Sequence, residues 1–386
     1  MKIVHLACVH KSNDTRILVK ESCSLASMGH EVVYYTSLHS NVDSLNVQTT
    51  NNVKIKFHDL DLRGVVLNKH VIRGIIERKN NKKKLIHLVK KEKPDVLHIH
   101  ELELMYIIKA IKVYLPEIRI IYDVHEDNAE QYGPELKKIF GEKIGNLLKN
   151  LVEKFDMLYV KKADGVITVT PYLLNKLAKY NTNVVEIRNM PFDIAETKND
   201  IRTRTAKACY CGGVTEERGI TSLCNVAERV HGKILIAGSI ADNYLDILKT
   251  KYSAIWGNQI VYLGYLDRTK VNELYSCTVV GLCVLKYNKN IFNAFPIKLF
   301  EYMAAGIPVV CSNFPLWESV IKEANCGISV NPEDESQILE AINTLLDNRE
   351  LAQEMAYNGK KAIRYKYNWK IEEVKLLKFY QQFEHN

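Results

Sequence analysis

Short runs of β-branched and other apolar residues alternate with stretches of helical period through the first half of the chain. The runs at 2–8, 31–37, 53–57, 95–99, 118–123, 165–169 and 184–188 are expected to be strands. Alternation of this kind predicts βαβ units around a parallel sheet, with ligands received at the carboxyl ends of the strands. Residues 135–162 carry apolar positions at helical spacing and read as one amphipathic helix. The pattern restarts at 206–211 and continues with strands at 234–239, 259–263 and 278–284, and 371–383 closes the chain as a long amphipathic helix. The polar run 196–205 reads as a linker.

With 386 residues the chain exceeds the size at which one core stops growing, so two domains are expected. The boundaries read as 1–195 for the first, 206–365 for the second and 366–386 for the terminal helix. Fold class is therefore α/β, with two Rossmann-like, doubly wound parallel sheets.

One stretch concentrates chemistry. From Asn293 the chain reads Ala294, Phe295, Pro296, Ile297, Lys298, Leu299, Phe300 and Glu301, and it continues to Gly306 and the apolar run ending at Ser312. Pro296 suits a first helical turn and Gly306 a left-handed stop, which predicts a helix of about ten residues followed by a buried strand. Lys298 and Glu301 share a face, while Ile297, Phe300 and Ala304 are expected to pack inward. A helix N-terminus favours an anion such as a diphosphate, and a carboxylate one turn deeper can accept two hydrogen bonds from a ribose diol. The same spacing also fits an ion pair on an ordinary surface helix.

Other loops after strands carry candidates. His10, Asp14 and Arg16 follow the first strand, though Asp14 equally suits a helix N-cap. His98 and His100 alternate with apolar residues and so face one side of the sheet; with no third ligand in evidence, packed or hydrogen-bonded histidines are favoured over metal. His100 and Glu101 end that strand near a prospective acceptor site. Asp123, His125, Glu126, Asp127 and Glu130 crowd the end of the next strand, partly explained by helix capping. In the second half Gly212 and Gly213 end a strand, and Arg218 follows; glycine amides can approach an anion and the guanidinium can grip phosphate oxygens.

Charge and cysteines narrow the classes. The formal net charge of +8 is modest and uneven. Residues 78–93 form a basic helix with Leu85, Ile86, Leu88 and Val89 along it, read either as a solvated face or as a contact to an anionic membrane. Nucleic acid is not expected, because no recognised module or aromatic platform accompanies the charge. Nine cysteines, mostly inside apolar runs, argue for buried thiols rather than disulfides, and Cys209 and Cys211 lack zinc spacing. Asp59 and Asp61 have the D-x-D spacing of some metal-dependent transferases but read as a plain loop. No apolar run reaches membrane-spanning length and no signal-peptide pattern opens the chain, so a cytoplasmic protein, at most at the inner face of the membrane, is expected.

The stretch from Lys298 through Glu301 and Gly306, continued by Ser312 to Glu318, resembles the nucleotide-sugar motif of family 4 retaining glycosyltransferases, which have the GT-B fold, two Rossmann-like domains facing a central cleft. The Asp-Thr-Arg at 14–16, the Asp-x-His-Glu at 123–126 and the glycine–arginine segment 212–219 resemble further segments of that family. The resemblance implies metal-independent transfer of a sugar, with retention and without a cofactor, from a nucleoside-diphosphate sugar, UDP foremost, to a glycan or lipid-linked hydroxyl. It assigns His125, with Glu126, to the reacting sugar; Gly212, Gly213, Arg218, Lys298 and the 293–297 segment to the donor; backbone at Tyr265 and Leu266 to the nucleobase; and Glu301 to the ribose. His10, Asp14, Arg16, His100 and Glu101 are expected on the acceptor side. Relatives carry a basic residue where this chain has Gly213 and, in the commonest form, a glutamate where it has Asn293. An inactive nucleotide-sugar binder, a nucleotide-sugar 2-epimerase of the same fold and an electrostatic adaptor on a membrane or nucleic acid are therefore the alternatives.

Overall fold

The computed structural model describes residues 1–37, 48–58, 71–193, 200–205 and 207–384. Asp59, Asp61 and the 196–199 part of the expected linker lie outside these residues. The chain forms two compact units, one from Met1–Asn189 with Glu372–Asn386 and the other from Met190–Ile371.

The first unit is built on eight strands: β1 (Lys2–Leu6), β2 (Glu31–Ser37), β3 (Gln48–Thr50), β4 (Val53–His58), β5 (Val96–Ile99), β6 (Arg119–Val124), β7 (Gly165–Thr168) and β8 (Val184–Glu186). Their order is β3-β4-β2-β1-β5-β6-β7-β8, parallel except for the antiparallel edge strand β3. β1 and β5 are neighbours, with His5 opposite His98 in register. The sheet therefore reverses its winding between β1 and β5, and a crevice opens at the strand ends where it does so. One core cluster of Val4, Leu6, Leu97, Ile99, Ile120 and Tyr122 with the covering helices fills this unit.

The second unit has β9 (Lys207–Cys211), β10 (Lys233–Ala237), β11 (Ile260–Tyr262), β12 (Val280–Cys283), β13 (Val309–Ser312) and β14 (Gly327–Val330), ordered β11-β10-β9-β12-β13-β14 and all parallel. Its winding reverses between β9 and β12. Side chains alternate across the sheet, so Ala208, Tyr210 and Ile236 enter one core cluster while Cys209, Ala237, Cys283 and Cys311 enter the other.

Three expectations need correction. Residues 135–162 are not one helix: Asn128–Phe140 and Glu142–Lys162 are separated by Gly141, whose φ of +80° ends the first. Ile297 does not pack inward, being 45% exposed, because the helix Ile297–Ala304 turns Leu299, Phe300 and Met303 to the core instead. Part of the expected linker is packed, since Ile201 is fully buried and its amide donates to Gln353 Oε1 at 2.8 Å. Over the described side chains of the basic helix, 81–93, Leu85 and Val89 are buried in the core while Lys83, Lys84, His87, Lys90, Lys91 and Lys93 are exposed.

Candidate functional site

In the second unit, chemistry gathers where β9 and β12 diverge. The chain leaves β9 through Gly212 at φ +142°, and a Cβ at Gly238 would lie 1.7 Å from the Gly212 carbonyl oxygen, so the two strand ends meet only as glycines. The Tyr210 hydroxyl donates to the Gly213 carbonyl at 2.6 Å and braces the turn. Gly219 takes φ +72° under the Val284 carbonyl, and the short turn Glu216–Arg218 before it leaves Arg218 exposed beside Gly213.

The helix Ile297–Ala304 follows, with Pro296 at its N-cap and Gly306 at φ +65° beyond its end. Tyr302 ties it to the sheet: its hydroxyl accepts from the Cys211 amide at 3.0 Å. Lys298 stands one turn earlier on the same face and is carried under the β9 turn. It is 8% exposed, and its Nζ has no hydrogen-bond partner among the described residues. The ammonium sits 3.7 Å from the centroid of the Tyr210 ring, and a Cβ added at Gly212 would lie 3.0 Å from it. Burial, and secondarily the charge of Arg218, pull its pKa down to about 8, against a smaller opposing effect of Glu301. Buried cations are ordinarily paired, and this one has no such partner among the described residues.

Glu301 is bonded to exposed Arg268 and, at 3.4 Å, to the Tyr275 hydroxyl. Ala294 anchors the loop through its carbonyl, which accepts from Trp317 Nε1 at 2.6 Å, and Phe295 packs edge-on to Phe300. Asn293 donates to the Lys289 carbonyl at 2.9 Å. After β11, Gly264 accepts from the Gly238 amide at 2.8 Å, Tyr265 is exposed and Leu266 is half-buried against the core.

In the first unit a buried network lies at the carboxyl ends of β1, β5 and β6. Its centre is Asp123, fully buried, which accepts from Arg16 Nε at 3.2 Å, from Arg16 Nη2 at 3.1 Å and from His125 Nε2 at 2.9 Å. Arg16 also donates to the Ile187 carbonyl at 3.0 Å and pairs with Glu21 at 3.0 Å. Burial alone would raise the Asp123 carboxyl, but Arg16 and the neighbouring imidazoles outweigh it and hold Asp123 well below the usual range. For Glu21 burial wins, so its carboxyl lies well above that range despite Arg16. One guanidinium thus faces two buried carboxyls whose pKa values are pushed in opposite directions.

His98, His100 and His5 are buried, and desolvation is the first cause that lowers all three, leaving them neutral. His98 Nδ1 is 2.8 Å from the Tyr380 hydroxyl, and His5 Nδ1 is 3.0 Å from His100 Nε2. His5 and Glu21 supply the further ligands missing from the sequence: with His98 and His100 they place four ligand atoms within 4.8 Å of one another. The His98 and His100 rings nevertheless stack with centroids 4.3 Å apart and planes 24° apart, so their lone pairs run side by side rather than converging, and Arg16 already supplies a cation against Glu21. The arrangement fits hydrogen-bonded histidines better than a metal centre.

His125 is the member of this network that reaches the surface, its side chain 21% exposed. Asp123 is an acceptor, so His125 Nε2 donates the proton of this hydrogen bond. Glu126 is exposed beside it. Asp127 is the N-cap of Asn128–Phe140 and pairs with Lys176 at 2.9 Å, while Glu130 pairs with Lys149 at 2.7 Å, so capping and pairing absorb the rest of the acidic cluster.

The remaining first-unit candidates are engaged within the unit. Asp14 accepts from the Arg16 and Ile17 amides at 2.8 Å, as a cap does. Glu101 accepts from the Cys8 and Val9 amides at 3.2 Å and from His10 Nδ1 at 2.7 Å, closing the loop after β1. Asp123 as the hub, and His5 and Glu21 as its neighbours, were not evident from the sequence; the visible signal was an imidazole or carboxylate inside two otherwise apolar strands, at His5 and Asp123, and none marked Glu21.

Residues 16–190 match the family profile Glycosyltransferase Family 4, and residues 192–362 match Glycosyl transferases group 1. An uncharacterized glycosyltransferase of Methanocaldococcus jannaschii is 28% identical over 165 residues, which cover 42% of this chain and only 40% of that relative's length. Sucrose-phosphate synthase from Thermosynechococcus elongatus superposes with a TM-score of 0.78 at 15% identity over 99% of both chains. HepE from Anabaena, solved in complex with UDP, does so with a TM-score of 0.72 at 12% identity over 99% of this chain and 100% of its own. At such identities the structural likeness speaks for the fold, while the two adjoining profile matches run through almost the whole sequence. The chain belongs to the family 4, group 1 glycosyltransferases and has their GT-B fold.

Proposed function

We propose that the protein transfers a sugar, with retention and without a metal at the diphosphate, from a nucleoside-diphosphate sugar to a hydroxyl of a glycan or lipid-linked acceptor. The observation that carries the donor assignment is Lys298, a buried ammonium without a hydrogen-bond partner among the described residues, set beneath a glycine turn and near Arg218. A diphosphate answers that arrangement, since it brings the missing counter-charge and accepts from Gly213, Arg218 and the amides that begin the helix Ile297–Ala304. UDP is the first nucleotide to test, supported by the UDP complex of HepE.

In this mechanism the bond between the sugar C1 and the diphosphate oxygen breaks, and the acceptor oxygen bonds C1 on the same face. The acceptor proton passes to the departing phosphate oxygen. Lys298, Arg218 and the helix N-terminus stabilise the charge that develops on the leaving group. Glu301 exchanges exposed Arg268 for the ribose diol, and Tyr265 and Leu266 flank the base. His125, oriented by Asp123, accepts a sugar hydroxyl at Nδ1, with Glu126 beside it. The acceptor is assigned to the first unit, near His10 and the loops closed by Asp14, Arg16, His100 and Glu101.

A second reading is a nucleotide-sugar binder without turnover, favoured by Asn293, whose amide is already committed to the Lys289 carbonyl. A thermal-shift screen against UDP, GDP, ADP, CMP and their sugars, with Glu301→Ala and Arg218→Ala alongside, tests the donor site. Selective stabilisation by one nucleoside diphosphate, lost in both variants, supports it. Equal responses of wild type and variants refute it, and binding without donor hydrolysis or transfer selects the second reading.

A further inference from the structure

The helix Glu142–Lys162 turns an apolar stripe to solvent. Ile144, Leu147, Leu151, Phe155 and Leu158 are 40–61% exposed, as is Phe140 just before the Gly141 break at 42%. At about 100° per residue the five on this helix fall within an arc of about 80°, along a helix roughly 30 Å long. Its other side is spent on the unit's own core through Met157 and Val160. Apolar side chains at every turn of one solvent face are more than the scatter of single exposed residues found on monomers.

The charges around the stripe say what covers it. Lys143, Lys154 and Lys161 are exposed and share its flank, within about 40° of Leu147 on the same helical projection. The helix's own carboxylates are elsewhere: Glu142 pairs with Lys137, Glu153 with Lys176, and Asp156 is buried against Tyr122. An apolar face flanked on its own helix by Lys143, Lys154 and Lys161 complements an anionic interface, and it disfavours a second copy bringing the same lysines against it. No described helix is long and apolar enough to cross a membrane, so the helix would lie in the interface plane.

We propose that this stripe, rather than the basic helix at 78–93, docks the protein on an anionic lipid bilayer. Over its described side chains, 81–93, the basic helix has already buried Leu85 and Val89 and so offers charge without an insertable face, whereas Glu142–Lys162 offers both. The proposal stands independently of the donor reading.

The test is co-sedimentation of the full chain with vesicles of phosphatidylcholine alone and of phosphatidylcholine mixed with phosphatidylglycerol. Leu147→Glu/Phe155→Glu removes the apolar contact, and Lys143→Glu/Lys154→Glu/Lys161→Glu reverses the flank while keeping the stripe. Wild type is expected to bind the anionic vesicles preferentially and less at high salt, with each variant weaker by about tenfold or more. Unchanged melting temperatures in all three proteins show that the fold is intact. The proposal is overturned if wild type ignores anionic vesicles or if the variants bind as well as wild type. It is also overturned if light scattering shows a wild-type dimer that Leu147→Glu/Phe155→Glu dissociates, since a second copy then covers the stripe.

Discussion

The Lys298 ammonium rests 3.7 Å from the centre of the Tyr210 ring, with no hydrogen-bond acceptor among the described residues. A ring face offsets only part of the desolvation of a buried cation. The site therefore carries a cost that an incoming anion removes, and Lys298→Met should separate stability from binding. Because Lys298 is depressed from 10.5 to about 8, the apo variant is expected to gain up to ~3 kcal/mol at pH 7. Chemical denaturation read beside nucleotide titration checks this. A variant that is less stable and still binds would remove the anion-socket reading.

Lys298 also sets a pH dependence. Its folded value lies below the unfolded one, so the unfolded chain binds more protons between about 8 and 10.5, and this group adds stability as pH rises through that window. Nucleotide binding has the opposite sign, because the diphosphate requires the charged form. Affinity should be level below pH 7 and fall above pH 8 by up to ~10-fold per unit, with proton uptake on binding measurable in buffers of different ionisation enthalpy.

Arg16 and Asp123 form a pair whose halves are not equivalent. Arg16→Met leaves Asp123 buried without its main counter-charge and is expected to cost about 3–5 kcal/mol. Asp123→Asn leaves Arg16 with Glu21, which can ionise in its place, so the fold should persist at smaller cost. What that variant loses is the carboxylate charge that fixes the His125 proton on Nε2, and it gains an amide donor that can turn toward the ring. A large fall in turnover, on the order of 10²-fold or more, with near-normal nucleotide affinity is the expected result. Denaturation curves and transfer kinetics on the two variants distinguish these effects.

Gly219→Ala should disrupt the donor turn locally. The position holds φ +72°, and a Cβ there would sit 2.0 Å from the Val284 carbonyl oxygen. The strain should exceed about 1 kcal/mol and displace Arg218, weakening nucleotide binding more than it lowers the melting temperature.

Much of this architecture was legible because strand period, buried runs and turn glycines are local signals. The pairing of Lys298 with Glu301 on one helix face followed from a three-residue spacing. That Lys298 is buried did not, since its cover comes from Tyr210 and the β9 turn, far off in sequence. Asp123 looked like one member of an acidic cluster; its partner Arg16 is 107 positions away, and only the β1–β5–β6 adjacency unites them. The break at Gly141 was present as a glycine after a periodic run but was overridden by the continuing apolar pattern. That same pattern put apolar residues on the outside as well as the inside of Glu142–Lys162, a distinction periodicity alone does not make.

The most direct test of the central claim is calorimetric titration of wild type and Lys298→Met with UDP, UMP and uridine. A socket for the diphosphate predicts that wild type binds UDP far more tightly than UMP and that the variant loses this preference while keeping whatever affinity uridine has. If Lys298→Met retains the full UDP-over-UMP preference, the buried ammonium does not meet the diphosphate and the donor site lies elsewhere.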